Sequence, residues 1–275
     1  MTEEHLGRIF IYWRAKKMEF YRITSKENDI IKLISQLQKS SSKRRELGLF
    51  VLEGLRICSD AVKNNYDIEM LIISETANEK YSENIEEISY KSKKNFVLPD
   101  ALFKKISDTV NPQGVLCICK ISSYSPEEIN PEGKYIALEN LQDPSNLGAI
   151  SRTAEALGID GIIIQGGCDP YSPKSLRASM GALVRIPVFQ TDNLFEIFET
   201  CGLRSFAAVV HTKAESLGQV KFDKGCVVLI GNEANGLTDN AIQMSDVLVT
   251  IPMRGNAESL NAAVAASLIM WEMSK

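Results

Sequence analysis

The sequence predicts an α/β protein with two domains, the second of which is built on a mostly parallel sheet. Short runs rich in Val, Ile and Leu alternate with helical patterns along the chain, which is typical of α/β folds. A segment with two prolines, a glycine and three serines interrupts this alternation at 122–134, as interdomain linkers do. The chain has 275 residues, which exceeds the length of one typical domain.

The first domain is predicted over residues 24–121. Thr24 and Glu27 are predicted to form a capping box, and apolar residues follow at helical spacing until a polar, basic loop at 39–45. Strands are then predicted at 49–52, 70–73, 96–98 and 114–121. Helices are predicted between them at 53–64, 80–91 and 101–107. This alternation indicates a compact α/β domain.

The second domain is predicted over residues 135–275. Strands are predicted at 135–138, 161–164, 186–189, 205–210, 226–230 and 247–251. Helices are predicted at 146–157, 172–183, 193–201, 239–244 and 259–271. The strands are nearly continuous apolar runs, so both of their faces are expected to be buried, as in a parallel sheet. The last helix is apolar almost all round, which favours burial in a core or an oligomer interface.

Composition excludes several classes of protein. No window approaches the roughly 18 apolar residues that a membrane span needs, and residues 1–23 read as an N-terminal extension without stable structure rather than a signal peptide. Six scattered cysteines complete no four-ligand metal set, and they fit reduced thiols in a cytoplasmic protein. The net charge of -4 leaves nucleic-acid binding to local basic patches.

Three polar segments follow apolar runs in the second domain, at 140–154, 230–237 and 251–261. Open α/β sheets bind ligands beyond the carboxyl ends of their strands, so three such loops in order favour one site. Taken singly, each is also explained by an ordinary strand-to-helix turn. Asn146 and Ser259 are predicted N-caps, which leaves the polar Asn261 unexplained. The second segment lacks the dinucleotide fingerprint, and the chain has no phosphate-loop lysine motif.

Together the three segments resemble the motifs of the SpoU (TrmH) family of RNA 2′-O-ribose methyltransferases, within the SPOUT superfamily, over residues 135–275. The first domain is similar to the L30e-like substrate-binding domain that often precedes it, most clearly at 50–56. The resemblance implies an α/β-knot domain with a deep trefoil knot. It also implies S-adenosyl-L-methionine as cofactor, no metal, and a homodimer formed through the knot domain.

The resemblance also implies roles for particular residues. The positions that match the family's cofactor contacts are Gly231, Ile251 and Leu260, with Met253 nearby. The positions that match its catalytic residues are Asn146, Arg152, Glu233, Ser259 and Asn261. A guanidinium resists deprotonation, so we expect Arg152 to bind a phosphate and favour the developing alkoxide. Asn146 and Ser259 would orient Arg152, and Asn261 would organise its loop.

The RNA needs basic surface, and the candidate residues are Lys39, Lys43, Arg44 and Arg45. A second cluster holds Lys91, Lys93 and Lys94, while Lys174 and Arg177 are expected near the site. Each cluster is also explained as a solvated charged surface. We favour rRNA of the large subunit as substrate, with tRNA or a non-catalytic dimeric RNA-binding role as alternatives. His211 follows the end of the predicted strand at 205–210. A position near the cofactor is one alternative that we consider for it.

Overall fold

The computed structural model describes residues 7–12, 17–122 and 124–275, in two compact units. Unit 1 comprises Met1–Ser122 and Tyr171–Pro173, and unit 2 comprises Ser123–Pro170 and Lys174–Lys275. Ile129, in the segment expected to be a linker, is buried in the core of unit 2. Most of that segment therefore packs with the second unit. No helix of the described ranges is long and apolar enough to cross a membrane.

Unit 1 contains a mixed sheet of six strands. Its strands are β1 Gly7–Tyr12, β2 Lys17–Arg22, β3 Leu49–Glu53, β4 Ile68–Ser74, β5 Ser92–Leu98 and β6 Val115–Lys120. Its helices are α1 Asp29–Lys39, α2 Ser41–Leu47, α3 Leu55–Lys63, α4 Glu75–Lys80, α5 Ser82–Lys91 and α6 Asp100–Ile106. The strand order is β1-β2-β5-β4-β6-β3. Apolar residues of α1 and α6 bury one face of this sheet.

The N-terminal extension is not structureless where the structure describes it. β2 pairs in parallel with β5, and β1 pairs antiparallel with β2. Phe20 and Ile23 are buried, so apolar burial as well as strand pairing holds this segment in the sheet. The expectation of disorder is wrong for these strands. Residues 1–6 and 13–16 of the expected extension lie outside the described residues.

Helix α1 begins later than its predicted capping box. Asn28 is the N-cap, since its Oδ1 accepts a hydrogen bond of 2.9 Å from the Ile30 backbone N–H. The basic segment that was expected to be a loop forms α2 instead. Ser40 caps α2 by accepting from Lys43 N, and the helix ends at Gly48 in a left-handed conformation with φ 62°. A serine cap and a glycine stop are favourable helix signals.

Unit 2 contains a sheet of seven strands. Its strands are β7 Lys134–Glu139, β8 Gly161–Gln165, β9 Val188–Thr191, β10 Arg204–Ala208, β11 Glu215–Ser216, β12 Cys226–Ile230 and β13 Val247–Thr250. Its helices are α7 Pro144–Ala156, α8 Pro173–Ala178, α9 Ala182–Arg185, α10 Leu194–Cys201, α11 Asp239–Met244 and α12 Ala262–Met273. Every strand pair is parallel, as the apolar runs predict.

The strand order β11-β13-β10-β12-β7-β8-β9 places β7, β12, β10 and β13 next to one another. The polar segments follow β7, β12 and β13, so they leave the same edge of the sheet. The helix predicted at 172–183 is in fact two helices, α8 and α9. They are separated at Met180 and Gly181, which have φ angles of 51° and 88°. A left-handed pair of residues ends an α-helix.

Candidate active site

Three side chains join the three polar segments through direct hydrogen bonds. Asn261 Nδ2 donates to Asn146 Oδ1 over 3.0 Å. Asn146 Nδ2 in turn donates to Glu233 Oε1 over 2.9 Å. The loops after β13, β7 and β12 are therefore one connected assembly. The sequence predicts all three residues for the site, and the structure brings them together.

Glu233 also fixes the backbone that leads into α7. Its carboxylate accepts hydrogen bonds from Gln142 N at 3.0 Å and from Asp143 N at 2.9 Å. Burial raises the pKa of this carboxyl, but the hydrogen bonds that it accepts outweigh burial and leave the pKa below its ordinary value. Glu233 is thus an anionic anchor for the first loop rather than a proton donor near neutral pH.

Two further contacts attach the second loop to the end of β7. Asn232 Nδ2 donates to Asn140 O over 3.0 Å, while its Oδ1 accepts from Ala234 N and Asn235 N. The buried Glu139 accepts from the backbone N–H and hydroxyl of Thr238, each at 2.8 Å. Sequence reasoning missed these residues. A polar residue directly at each strand end was the available signal.

The helix starts in the site differ from those predicted. Asp143, not Asn146, caps α7, because Asp143 Oδ1 accepts from Ser145 N over 2.8 Å. Asn261, not Ser259, caps α12, with its Oδ1 accepting from Ala263 N and Val264 N. Asn261, the polar residue that sequence patterns left unexplained, is therefore explained as the N-cap of α12. Asn146 is left free to bridge the other two loops.

A cavity of about 410 Å³ lies between the second and third loops and the end of β10. All four residues predicted to bind the cofactor line it, namely Gly231, Ile251, Met253 and Leu260. Glu233, Ser259 and His211 line it as well. Asn146, Arg152 and Asn261 are not among its lining residues. The predicted site residues therefore divide between the cavity and the hydrogen-bonded loops beside it.

The cavity suits a nucleoside cofactor with an aliphatic chain. Its volume falls in the range of small-molecule sites, and most of its wall is apolar. Gly231 keeps two loop strands in close approach. A Cβ there would meet Gly236 C at 2.1 Å and Leu237 N at 2.2 Å. No cluster of three or more metal-ligating side chains occurs among the described residues.

Arg152 lies on the exposed side of α7 together with Ser145, Ala149 and Ala156. Within the described chain, no carboxylate forms an ion pair with its guanidinium, so it is available to a phosphate. Lys174 and Arg177 are exposed on α8. Lys174 Nζ lies 3.8 Å from Asp143 Oδ1 at the start of α7, so Lys174 borders the first loop.

The basic residues predicted to bind RNA have different environments in unit 1. Lys39 and Arg45 are exposed, whereas Lys43 forms an ion pair of 2.8 Å with Glu46. Arg44 is buried and donates to the carbonyl oxygens of Leu37 and Gln38. The burial of Arg44 does not support its predicted contact with RNA, because its guanidinium stabilises the α1–α2 junction.

The second basic cluster of unit 1 is partly neutralised. Lys93 lies 3.1 Å from Asp67 and 2.7 Å from Glu69. Lys120 pairs with the same two carboxylates. The pKa of Lys93 is raised, chiefly by its hydrogen bond to Glu69 and then by that to Asp67. Lys91 and Lys94 are exposed, so these two remain as candidates for a basic surface.

Comparison with known proteins agrees with this geometry. Residues 133–271 match the SpoU rRNA methylase family, and residues 28–117 match an MRM3-like substrate-binding domain. An uncharacterised tRNA/rRNA methyltransferase of Synechocystis is 31% identical over 91% of this chain and 92% of its own. A 23S rRNA (uridine(2479)-2′-O)-methyltransferase of Streptomyces viridochromogenes is 28% identical, with 91% of both chains covered.

A solved structure shows the same architecture. It is that of an AdoMet-bound rRNA methyltransferase from Sinorhizobium meliloti, with a TM-score of 0.83 and 29% identity. The match covers 92% of this chain and 96% of that one. The family model covers residues 133–271, and the relative from Synechocystis and the solved structure cover 91% and 92% of the chain. The chain belongs to the SpoU rRNA methylase family.

Proposed function

We propose that the chain transfers a methyl group from S-adenosyl-L-methionine to a ribose 2′-hydroxyl of RNA, with large-subunit rRNA as the favoured substrate. The observation that carries the proposal is the chain of hydrogen bonds from Asn261 through Asn146 to Glu233, beside the cavity. Relatives named as 23S rRNA 2′-O-methyltransferases favour rRNA over tRNA. Work on ribosomal RNA would place the protein in the cytoplasm.

The cavity would hold the cofactor through the loop backbone at Gly231, Ile251 and Leu260, with Met253 against it. When bound, the cofactor supplies a methyl group that its positively charged sulfur has already activated. The protein then has mainly to place the ribose oxygen in line with that methyl group and to favour loss of its proton. As the O–CH3 bond forms and the S–CH3 bond breaks, the hydroxyl proton would pass to water and S-adenosylhomocysteine would leave.

Arg152 would bind the phosphate beside the target ribose and stabilise the developing alkoxide. Its exposure and its lack of a carboxylate partner within the described chain support this role. Asn146 uses both ends of its amide on Asn261 and Glu233. We therefore assign Asn146, Glu233 and Asn261 to positioning of the first loop. Ser259 is exposed at the cavity, and we assign it to orienting the incoming RNA.

A homodimer through α12 is part of the proposal. Apolar side chains are exposed on one stripe along this helix, namely Val264, Leu268 and Trp271. Their spacing places them on a single helical face, and a second copy would bury it. The trefoil knot that the family resemblance implies stays a prediction.

The test is ribose-methylation mapping of total RNA from cells with and without the gene, complemented by wild type or Arg152→Ala. We expect one 2′-O-methyl position in large-subunit rRNA to vanish without the gene and to return only with wild type. A lost tRNA position would support the tRNA alternative. Unchanged rRNA and tRNA maps would contradict the proposal, and absence of S-adenosyl-L-methionine binding in calorimetry would point to a non-catalytic RNA-binding protein.

A further inference from the structure

His211 stands at the cavity that we assign to the cofactor. It follows β10, which lies between β12 and β13 in the sheet. The loop after β10 is therefore flanked by the two loops that form the cavity wall, and His211 lines that cavity. Its side chain is also exposed to solvent. A side chain that both lines a cavity and reaches solvent marks the cavity mouth.

A local hydrogen bond determines which imidazole nitrogen can meet a ligand. His211 Nδ1 accepts from the backbone N–H of Lys213 over 3.1 Å. An accepting nitrogen carries no proton, so the neutral ring carries its proton on Nε2. Nε2–H is then a donor with no acceptor recorded among the described residues. The ring is thus oriented by the main chain and presents one donor.

The charges around the cavity are few. Among the described residues that line it, His211 is the only side chain able to carry a positive charge, and Glu233 is the only carboxylate. Glu233 is already occupied by backbone and amide donors of the first loop. The amide of Asn232 is similarly occupied within the loops. The other polar side chains among the described lining residues, Asn235 and Ser259, are uncharged. The Nε2–H of His211 is therefore the one basic-residue donor that the described lining of this cavity offers to an anionic ligand group.

We propose that His211 Nε2 binds the carboxylate of the cofactor's amino-acid portion at the mouth of the cavity. This inference rests on the proposed function. The apolar interior suits the nucleoside and thioether portion, whereas a carboxylate needs donors and retains part of its hydration. His211 is then a specificity determinant, since it distinguishes a nucleoside that carries an amino-acid chain from one that does not.

The experiment compares two ligands by calorimetry on the full-length protein. S-adenosylhomocysteine has the carboxylate, and 5′-methylthioadenosine has the same nucleoside and sulfur without it. We expect His211→Ala to weaken S-adenosylhomocysteine binding by about tenfold or more, and to leave 5′-methylthioadenosine binding unchanged. His211→Gln retains a side-chain N–H donor and should recover part of the loss. Lys213→Ala keeps the backbone N–H and serves as the control.

The outcomes are distinct. An equal loss for both ligands would overturn the proposal, because His211 would then contact the nucleoside portion or shape the cavity as a whole. Unchanged binding of S-adenosylhomocysteine would overturn it too. If wild type binds neither ligand, the proposed function fails and this inference fails with it. Thermal unfolding of each variant confirms that the exposed substitution leaves the fold intact.

Discussion

Asn261 donates a hydrogen bond of 3.0 Å from Nδ2 to Oδ1 of Asn146, a residue 115 positions earlier in the chain. The same Asn261 side chain caps α12 through its Oδ1. One amide therefore holds the start of the last helix and the first polar loop together. Its two functions, helix stability and site geometry, can be separated by experiment.

Replacement of Asn261 by Ala should reduce both stability and methyl transfer. Asn193 is a matched control, because it caps α10 of the same unit with an identical pair of acceptor contacts. We expect each Ala variant to lose about 1 kcal/mol of unfolding free energy. Of the two variants, only Asn261→Ala should lower kcat, since Asn261, unlike Asn193, donates a hydrogen bond to Asn146. Both variants are assayed under conditions in which urea titration shows them to be folded. Equal losses of kcat in the two variants would contradict the positioning role.

The Glu233 carboxylate should make stability depend on pH in the acid range. Its folded-state pKa lies below the ordinary value of 4.5, so its contribution is present above that value and is lost as pH falls through the folded pKa. Glu233→Gln should unfold more easily than wild type at pH 6 by urea titration. The difference should shrink below pH of about 4. A constant difference across this range would show that charge is not involved.

Gly231→Ala should abolish cofactor binding, because its Cβ would collide with the backbone of Gly236 and Leu237. Gly255→Ala is the control in the third loop, where an added Cβ meets no atom within 4 Å. Calorimetry with S-adenosylhomocysteine should detect binding for the Gly255 variant and none for the Gly231 variant. Normal binding by Gly231→Ala would mean that the two loop strands separate easily.

Arg152→Lys should keep the fold and cofactor binding but lose methyl transfer by at least about tenfold, because an ammonium lacks the planar fork that matches a phosphate. Arg152 is exposed and outside the cavity lining, so neither unfolding temperature nor cofactor affinity should change. Single-turnover methylation of an rRNA fragment measures the effect. Near-full activity of the Lys variant would reduce the role of Arg152 to that of a point charge.

A charge on the exposed stripe of α12 should dissociate the proposed dimer. Val264→Asp with Trp271→Asp places two carboxylates on this apolar face. Met244→Asp is the control, since Met244 is a comparably exposed apolar side chain on α11. Sedimentation velocity should find a dimer for wild type and the control, and a monomer for the double variant. A monomeric wild type would contradict the dimer directly.

The α/β class, the parallel sheet of unit 2 and the three polar segments are readable from the sequence. Apolar runs indicate strands that are buried on both faces. Polar residues directly after such runs indicate loops at the edge of the sheet where the strands end. Helix starts were less readable. Asp143 and Asn261 displaced the predicted caps because several neighbouring residues are capable caps, and only backbone geometry selects among them.

Only the tertiary structure decided how the site residues divide. β10 lies between β12 and β13, and this strand order, which no local pattern encodes, brought His211 to the cavity. Packing also removed Arg44 from the candidate RNA surface by burying its guanidinium against two carbonyl groups. Sequence by itself determined which residue types follow each strand, because strand and helix periodicity are local. Which of them meet depends on contacts between residues far apart in the chain.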